Sequence, residues 1–225
     1  IFIYLNEHDA TETKKIYIKT SLISNVRDFG EMDNFFNNKI INLKASICKN
    51  TDIYNYMKFD YFTDLCKDGC SHYNKSHTCP PNSPKYTDYT KDYENTLLIA
   101  MYTNIDDKNN ISTTHAYLRK LLYDILIPLE NKFNGLYTDG GRCMCCSKCT
   151  YIDNLPCRFP EKMRFSMEAM GIDLDIVCRE FLNHKIVWDE SDAKAYCTVL
   201  GSINFNGDFK EPNFEKAILN LKECF

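Results

Sequence analysis

The chain has 225 residues, 44% hydrophobic and 26% charged, the balance of an ordinary globular protein rather than a disordered or membrane-spanning one. A net charge of −4 without a long basic run excludes a phosphate-driven nucleic-acid footprint, so neither nucleic acid nor a membrane is an expected partner. Such a length buries a core without covalent staples, yet there are 12 cysteines, and these carry the functional question.

In chain order, residues 1–60 read as an irregular α/β mixture, with a strand at 16–20 and a helical stretch at 29–43. Residues 66–92 are rich in Pro, Ser, Asn, Asp and Thr and predict a cysteine-holding loop, its geometry fixed by Cys79-Pro80-Pro81 and Ser83-Pro84. The apolar run at 97–102 predicts a buried strand. Ser112 to Thr114 offer N-caps for a helix in which Tyr117, Leu121, Ile125, Leu129 and Phe133 fall four apart, ending at Gly135, with Pro128 kinking it or dividing its last turn. Pro160 then opens a helical segment with Met163, Met167 and Met170 on one side, packed on the sheet, and Gly171 as its stop. Asp173 caps a further helix through Phe181, residues 185–188 and 196–205 are strand-like, and a last helix begins near Asn213. No regular βα repeat is present. The expectation is one α+β domain over residues 1–225, a mixed sheet with flanking helices, carrying two cysteine-rich metal-binding loops between about residues 60 and 185.

Eight cysteines bunch into two groups, Cys66, Cys70, Cys79 and Cys143, Cys145, Cys146, Cys149, Cys157, while Cys48, Cys178, Cys197 and Cys224 are scattered. Disulfide frameworks spread along a chain, and the adjacent Cys145 and Cys146 make strain-free pairing of every cysteine awkward. Scattered cysteines read as small buried hydrophobes. The opening Ile-Phe-Ile-Tyr-Leu turns polar at Asn6, too early for a secretory apolar stretch, so a cytoplasmic location is expected; as the chain opens on Ile, this speaks only for the residues given. The Asn, Lys, Ile and Tyr content with a single Trp fits an AT-rich genome, as many anaerobes have.

Cys143-x2-Cys146-x2-Cys149 lets one loop present three thiolates to the corners of a compact cube, with Cys157 as the fourth candidate. The spacing departs from the two-cluster ferredoxin run, in which the fourth cysteine follows after three residues and precedes a proline. Cys66-x3-Cys70-x8-Cys79 adds a second triad. Zinc competes, although its structural sites pair two separated knuckles and three cysteines in successive CxxC steps exceed what one tetrahedral ion takes from one hairpin. His72 forms a C-x-H with Cys70 but lacks the matching half of a Rieske site; it and His77 read as solvated loop residues. Arg142 and Arg158 flank the cysteines as surface ion-pair formers or anion binders. Glu168 reads first as a solvated helix face and second as a proton-transfer group. No G-x-G-x-x-G, P-loop, G-x-S-x-G or H-E-x-x-H motif occurs.

Together, Cys66-x3-Cys70-x2-Tyr73, Cys79-Pro80-Pro81, Gly141-Arg142-Cys143-x2-Cys146-x2-Cys149, Pro156-Cys157-Arg158-Phe159-Pro160 and Ser166-Met167-Glu168-Ala169-Met170-Gly171-Ile172-Asp173 resemble the cysteine-rich predicted metal-binding protein family of anaerobic bacteria and archaea. The resemblance implies a metal or iron–sulfur site and leaves the reaction open. Cys145 lies outside that pattern, as a spare thiol, a reactive one or a substitute ligand. The leading expectation is a carrier of one or two 4Fe-4S clusters in electron transfer, serving a redox partner protein or a small-molecule substrate. The rivals are an enzyme using an open iron at Cys66, Cys70 and Cys79 for sulfur-transfer or Lewis-acid chemistry, and a zinc-stabilised interaction module.

Overall fold

The computed structural model describes residues 2–7, 14–17, 41–105, 111–188 and 196–207. Cys224, the helix expected near Asn213 and most of the helix expected at 29–43 lie outside them; Asn42 and Leu43 belong to a strand instead. Six strands, β1 (Phe2–Glu7), β2 (Lys14–Tyr17), β3 (Asn42–Lys49), β4 (Asn95–Asn104), β5 (Leu136–Thr138) and β6 (Tyr196–Phe205), form one sheet in the order β2-β1-β3-β4-β6-β5. The β1–β3 pair is parallel and the other neighbours are antiparallel, so the α+β class with a mixed sheet and flanking helices holds.

β4 is central and covered on both faces, which is why it reads as an unbroken apolar run. Leu97, Ile99 and Met101 point to one face, where helix α4 (Ile111–Phe133) packs through Leu118, Leu122, Leu126 and Leu129. Leu98 and Ala100 point to the other face, the period-2 alternation of a strand. Three short helices cover that second face: α1 (Asn50–Tyr54), α3 (Tyr86–Tyr89) and α5 (Leu174–Leu182). Ser112 and Thr114 lie inside α4 rather than ahead of it, and the helix runs through Pro128 to Phe133 without division. Burial of Leu126 and Leu129 on either side of the proline outweighs its missing N–H.

The segment after Pro160 is a 3-10 turn, Pro160–Lys162, rather than an α-helix. Met167 and Met170 are buried against the sheet as expected, with Met163 packed beside them, but on a turn in which the Met170 N–H donates to Ser166 O and the Ile172 N–H to Met167 O. Gly171, at φ +91°, ends that turn; a Cβ there would stand 2.5 Å from Phe59 Cα, so only glycine fits. Phe59 starts helix α2 (Phe59–Gly69), found where a loop was expected to begin. Asp173 caps α5, accepting the Ile176 N–H at 3.3 Å. Residues 185–188 form no strand.

A polar knot fastens the loop of residues 70–85 to the sheet. Tyr86, fully buried, donates its hydroxyl to Asn204 Oδ1 at 2.9 Å, and the Thr96 hydroxyl donates to the same oxygen at 2.8 Å and to Asn50.

Candidate metal centre

Cys66 sits on α2 and Cys70 caps it, the Cys70 N–H donating to Cys66 O at 3.0 Å. Four residues apart on a helix, they share a side. The Cys70 sulfur accepts the His72 N–H at 3.4 Å. Cys79, buried, follows from the loop of residues 70–85. Burial, then the neighbouring Cys70 and the Glu168 carboxylate, push the Cys66 thiol up; burial and the Cys70, Cys66 and Glu168 charges carry Cys79 to about 11 against an opposing Ser76 hydrogen bond. The turn carrying Glu168 is bolted to both cysteine-bearing elements: the Ser83 hydroxyl donates to Ala169 O at 2.5 Å, the Tyr86 N–H to Met170 O at 3.1 Å, and the Lys58 N–H, at the start of α2, to Gly171 O at 2.7 Å.

The second group hangs from a turn held by Arg119 of α4. The Arg119 guanidinium donates to the Arg142 carbonyl and lies 3.8 Å from Asp139 Oδ1. It also packs on Gly141, where φ is +139° and a Cβ would stand 3.0 Å from Arg119 Cζ. Burial raises the Asp139 carboxyl to about 6, against the pull of Arg119 and the Gly140 N–H. Beyond this turn Cys143, Cys145, Cys146, Cys149 and Cys157 line one cavity of about 230 Å³, with His72, His77, Arg142 and Lys148 also in its wall. Burial works to raise the Cys149 thiol, but hydrogen bonding from the backbone amides of His77 and Tyr151 and from Ser76, aided by Arg158, outweighs it and holds Cys149 below the ordinary thiol value. The surroundings of Cys149 thus favour its thiolate form. Cys145 donates its S–H to Lys162 O at 3.3 Å and, through burial and its neighbour Cys143, is pushed up.

His77 is no solvated loop residue. Its Nε2 meets Leu155 O at 3.1 Å, its ring stands edge-on to Tyr151, and the Tyr151 hydroxyl donates to Asn74, so it joins the two cysteine segments. His72 is exposed. Arg158 donates to Lys148 O at 3.0 Å, a carbonyl rather than the carboxylate expected. Glu168 is on a turn, half-buried, and burial raises its carboxyl although the Ser166 hydroxyl and Arg119 oppose this. It also lines a second cavity of about 300 Å³ with His115 and Trp188. Sequence reasoning passed over Arg119; its charge inside the apolar stripe from Tyr117 to Leu129 was the available signal.

Cys48, Cys178 and Cys197 pack inside the two apolar cores that flank the sheet, which suits packing, and burial raises their thiols to about 12, 12 and 11. Among the described residues, no group of three or more His, Cys, Asp or Glu side chains is placed to hold a single metal ion. The donor chemistry fits an iron–sulfur group: five cysteines on one cavity wall and amides directed at the Cys149 sulfur. No helix among the described residues is long and apolar enough to cross a membrane.

A family model described as "Predicted metal-binding protein (DUF2284)" matches residues 55–201, well over half of the chain and both cysteine groups. No curated protein and no solved structure matches.

Proposed function

We propose that this chain, which belongs to the predicted metal-binding protein family, binds two 4Fe-4S clusters and passes electrons. One would be held by Cys143, Cys146, Cys149 and Cys157, the other by Cys66, Cys70 and Cys79. The observation that carries this reading is the cavity walled by five cysteines, one of which is held in thiolate-favouring surroundings by backbone amides. A cubane takes each thiolate at a different iron, which suits cysteines spread along one cavity wall.

When bound, such a cluster supplies one-electron chemistry at a potential set by nearby charge, hydrogen bonds to sulfur and solvent exposure. The chain acts on each. Arg158 and the amides of His77 and Tyr151 stabilise negative charge at Cys149, and the half-buried cysteines limit water. Ile152, Leu155 and Phe159 stand exposed beside Cys149 and Cys157, an apolar rim suited to a redox partner protein. The described cysteines are all free thiols, which suits the reducing cytoplasm.

One observation favours the enzyme reading at the other locus. Among the described residues the triad is short of a fourth thiol, because Cys145 faces the second group, and Glu168, whose charge acts on Cys66 and Cys79, opens on the 300 Å³ cavity. Lewis-acid or sulfur-transfer chemistry would be sited there. Anaerobic purification followed by metal and sulfide analysis tests the main proposal. About eight iron and about eight acid-labile sulfide per chain are expected; a colourless protein with stoichiometric zinc would replace it with the zinc-stabilised module.

A further inference from the structure

The cavity of about 300 Å³ shares none of its described wall residues with the cysteine-lined one. It exists because β5 pairs only with Ser202 to Asn204 of β6. At Asp139 the chain diverts to pair with Ser166, which leaves a cleft beside Cys197 to Leu200. Ile111 of α4, Leu174 of α5 and Ile186 close that cleft with apolar side chains. Trp188, the single tryptophan of the chain, also lines it and is 71% exposed.

The polar groups of the wall are mostly engaged. The Tyr196 hydroxyl donates to Lys185 O, and the Thr198 hydroxyl meets His184 Nε2 at 2.8 Å. The Ser166 hydroxyl and Arg119 already act on Glu168, so the wall makes no demand for a cationic ligand. No Lys or Arg stands among the described residues lining the cavity, so an anion would find no partner there. His115, on the first turns of α4 and exposed, is the side chain positioned to meet a polar group of a ligand.

We propose that this cavity binds a neutral small molecule with an aromatic ring and one hydrogen-bonding group, the ring against Trp188 and the polar group at His115. Its volume falls at the lower end of the ~300–1,000 Å³ of small-molecule sites, which are mainly apolar with a few polar groups. Trp188 gives an aromatic ligand a broad surface on which to pack. Gly140 is part of the wall and lies three residues before Cys143, a span of at most about 11 Å. The ligand is thus held at the base of the turn that carries the second cysteine group. Binding itself does not depend on the iron–sulfur reading.

The test titrates the anaerobically purified protein with phenylpropanol, cyclohexylpropanol, phenylpropylamine and phenylpropionate, following the emission of Trp188 with excitation at the red edge of the indole band. Phenylpropanol should shift the emission to the blue and saturate, binding more tightly than the other three. Ile111→Phe and Leu174→Phe fill the cavity from two half-buried wall positions and should weaken phenylpropanol about tenfold or more, with circular dichroism and metal content unchanged. Trp188→Ala, followed by calorimetry, should weaken it about threefold to tenfold. The proposal is overturned if no probe gives a saturable shift, or if both filling variants respond as the wild type does. It is equally overturned if the amine, the propionate or the cyclohexyl alcohol binds as tightly as phenylpropanol. Should one filling variant fail to fold, the other decides together with Trp188→Ala. Because the readout needs no metal, its failure leaves the two-cluster reading standing, and a protein without iron that still binds phenylpropanol separates the two in the other direction.

Discussion

The Cys143 N–H donates to the Thr78 hydroxyl at 3.2 Å, joining the first cysteine of one group to the neighbour of the last cysteine of the other. Thr78 is 2% exposed and its own N–H donates to the Ser76 hydroxyl. The two groups are therefore coupled through one buried threonine.

Replacing Thr78 by Val removes the acceptor and leaves the Cys143 N–H unsatisfied. A loss of about 1–2 kcal/mol is expected, together with looser metal at both groups; Thr78→Ser should restore both. Urea unfolding and metal analysis of the same preparations check this. A Val variant with wild-type stability and metal content would show the contact to be idle.

Ser substitution of Cys143, Cys146, Cys149 or Cys157 should lower iron by about half, one cluster of two. The same change at Cys48, Cys178 or Cys197 should leave metal intact and cost about 1–3 kcal/mol, because a hydroxyl enters apolar surroundings. Metal loss from a scattered variant that remains folded would redraw the ligand set.

Tyr86→Phe removes a buried hydroxyl from the Asn204 and Thr96 knot and should cost about 1–2 kcal/mol. Since the Tyr86 N–H also anchors the turn at Met170, between Ala169 and Gly171, the thermal midpoint should fall with little change in metal content if that backbone bond suffices. A loss of iron would place the hydroxyl itself in the support of the site.

Two buried groups should oppose each other as pH falls in the metal-free protein. Burial and Lys44 lower the His184 imidazole to about 4, so its stabilisation is full above the unfolded value of about 6.5 and is lost as pH drops toward 4. Asp139 is raised to about 6, so its native state gains stability as pH falls through 6. Each effect is on the order of 2–3 kcal/mol. His184→Gln should therefore gain stability relative to Asp139→Asn between pH 7 and pH 4.5, measured by urea unfolding; parallel pH profiles would refute the opposition.

The sheet and its main helix were legible because period and run length report burial directly: residues 97–102 and the four-apart stripe from Tyr117 to Phe133 fall in β4 and α4. The Asp173 cap was legible because a short acceptor side chain preceded a helical stretch. The two cysteine groups were visible as spacing. Helix α2 was not, although Phe59, Phe62 and Cys66 recur at helical spacing, because none of its residues is buried and its last turn runs into the polar stretch that begins at Cys66. Nor was the turn at Gly171, whose shape is dictated by Phe59, more than a hundred positions away. Glu168 was misjudged for the same reason: its sequestration comes from tertiary neighbours.

Helix α2 bears on how the protein responds to its metal. None of its 11 residues is buried and Tyr61 and Leu65 lie on its outside, whereas an isolated helix of such length is marginal in water. It is tethered at its start by Lys58, through the Gly171 carbonyl and a 3.0 Å ion pair with Asp173. Cys66 and Cys70 share a side only while the segment is coiled. Coil-to-helix order in α2 and ligand capture at these two sulfurs are thus a single equilibrium, and the segment is a gauge of occupancy: its amides should exchange with solvent quickly in the empty protein and slowly in the filled one, while those of β4 keep one rate throughout.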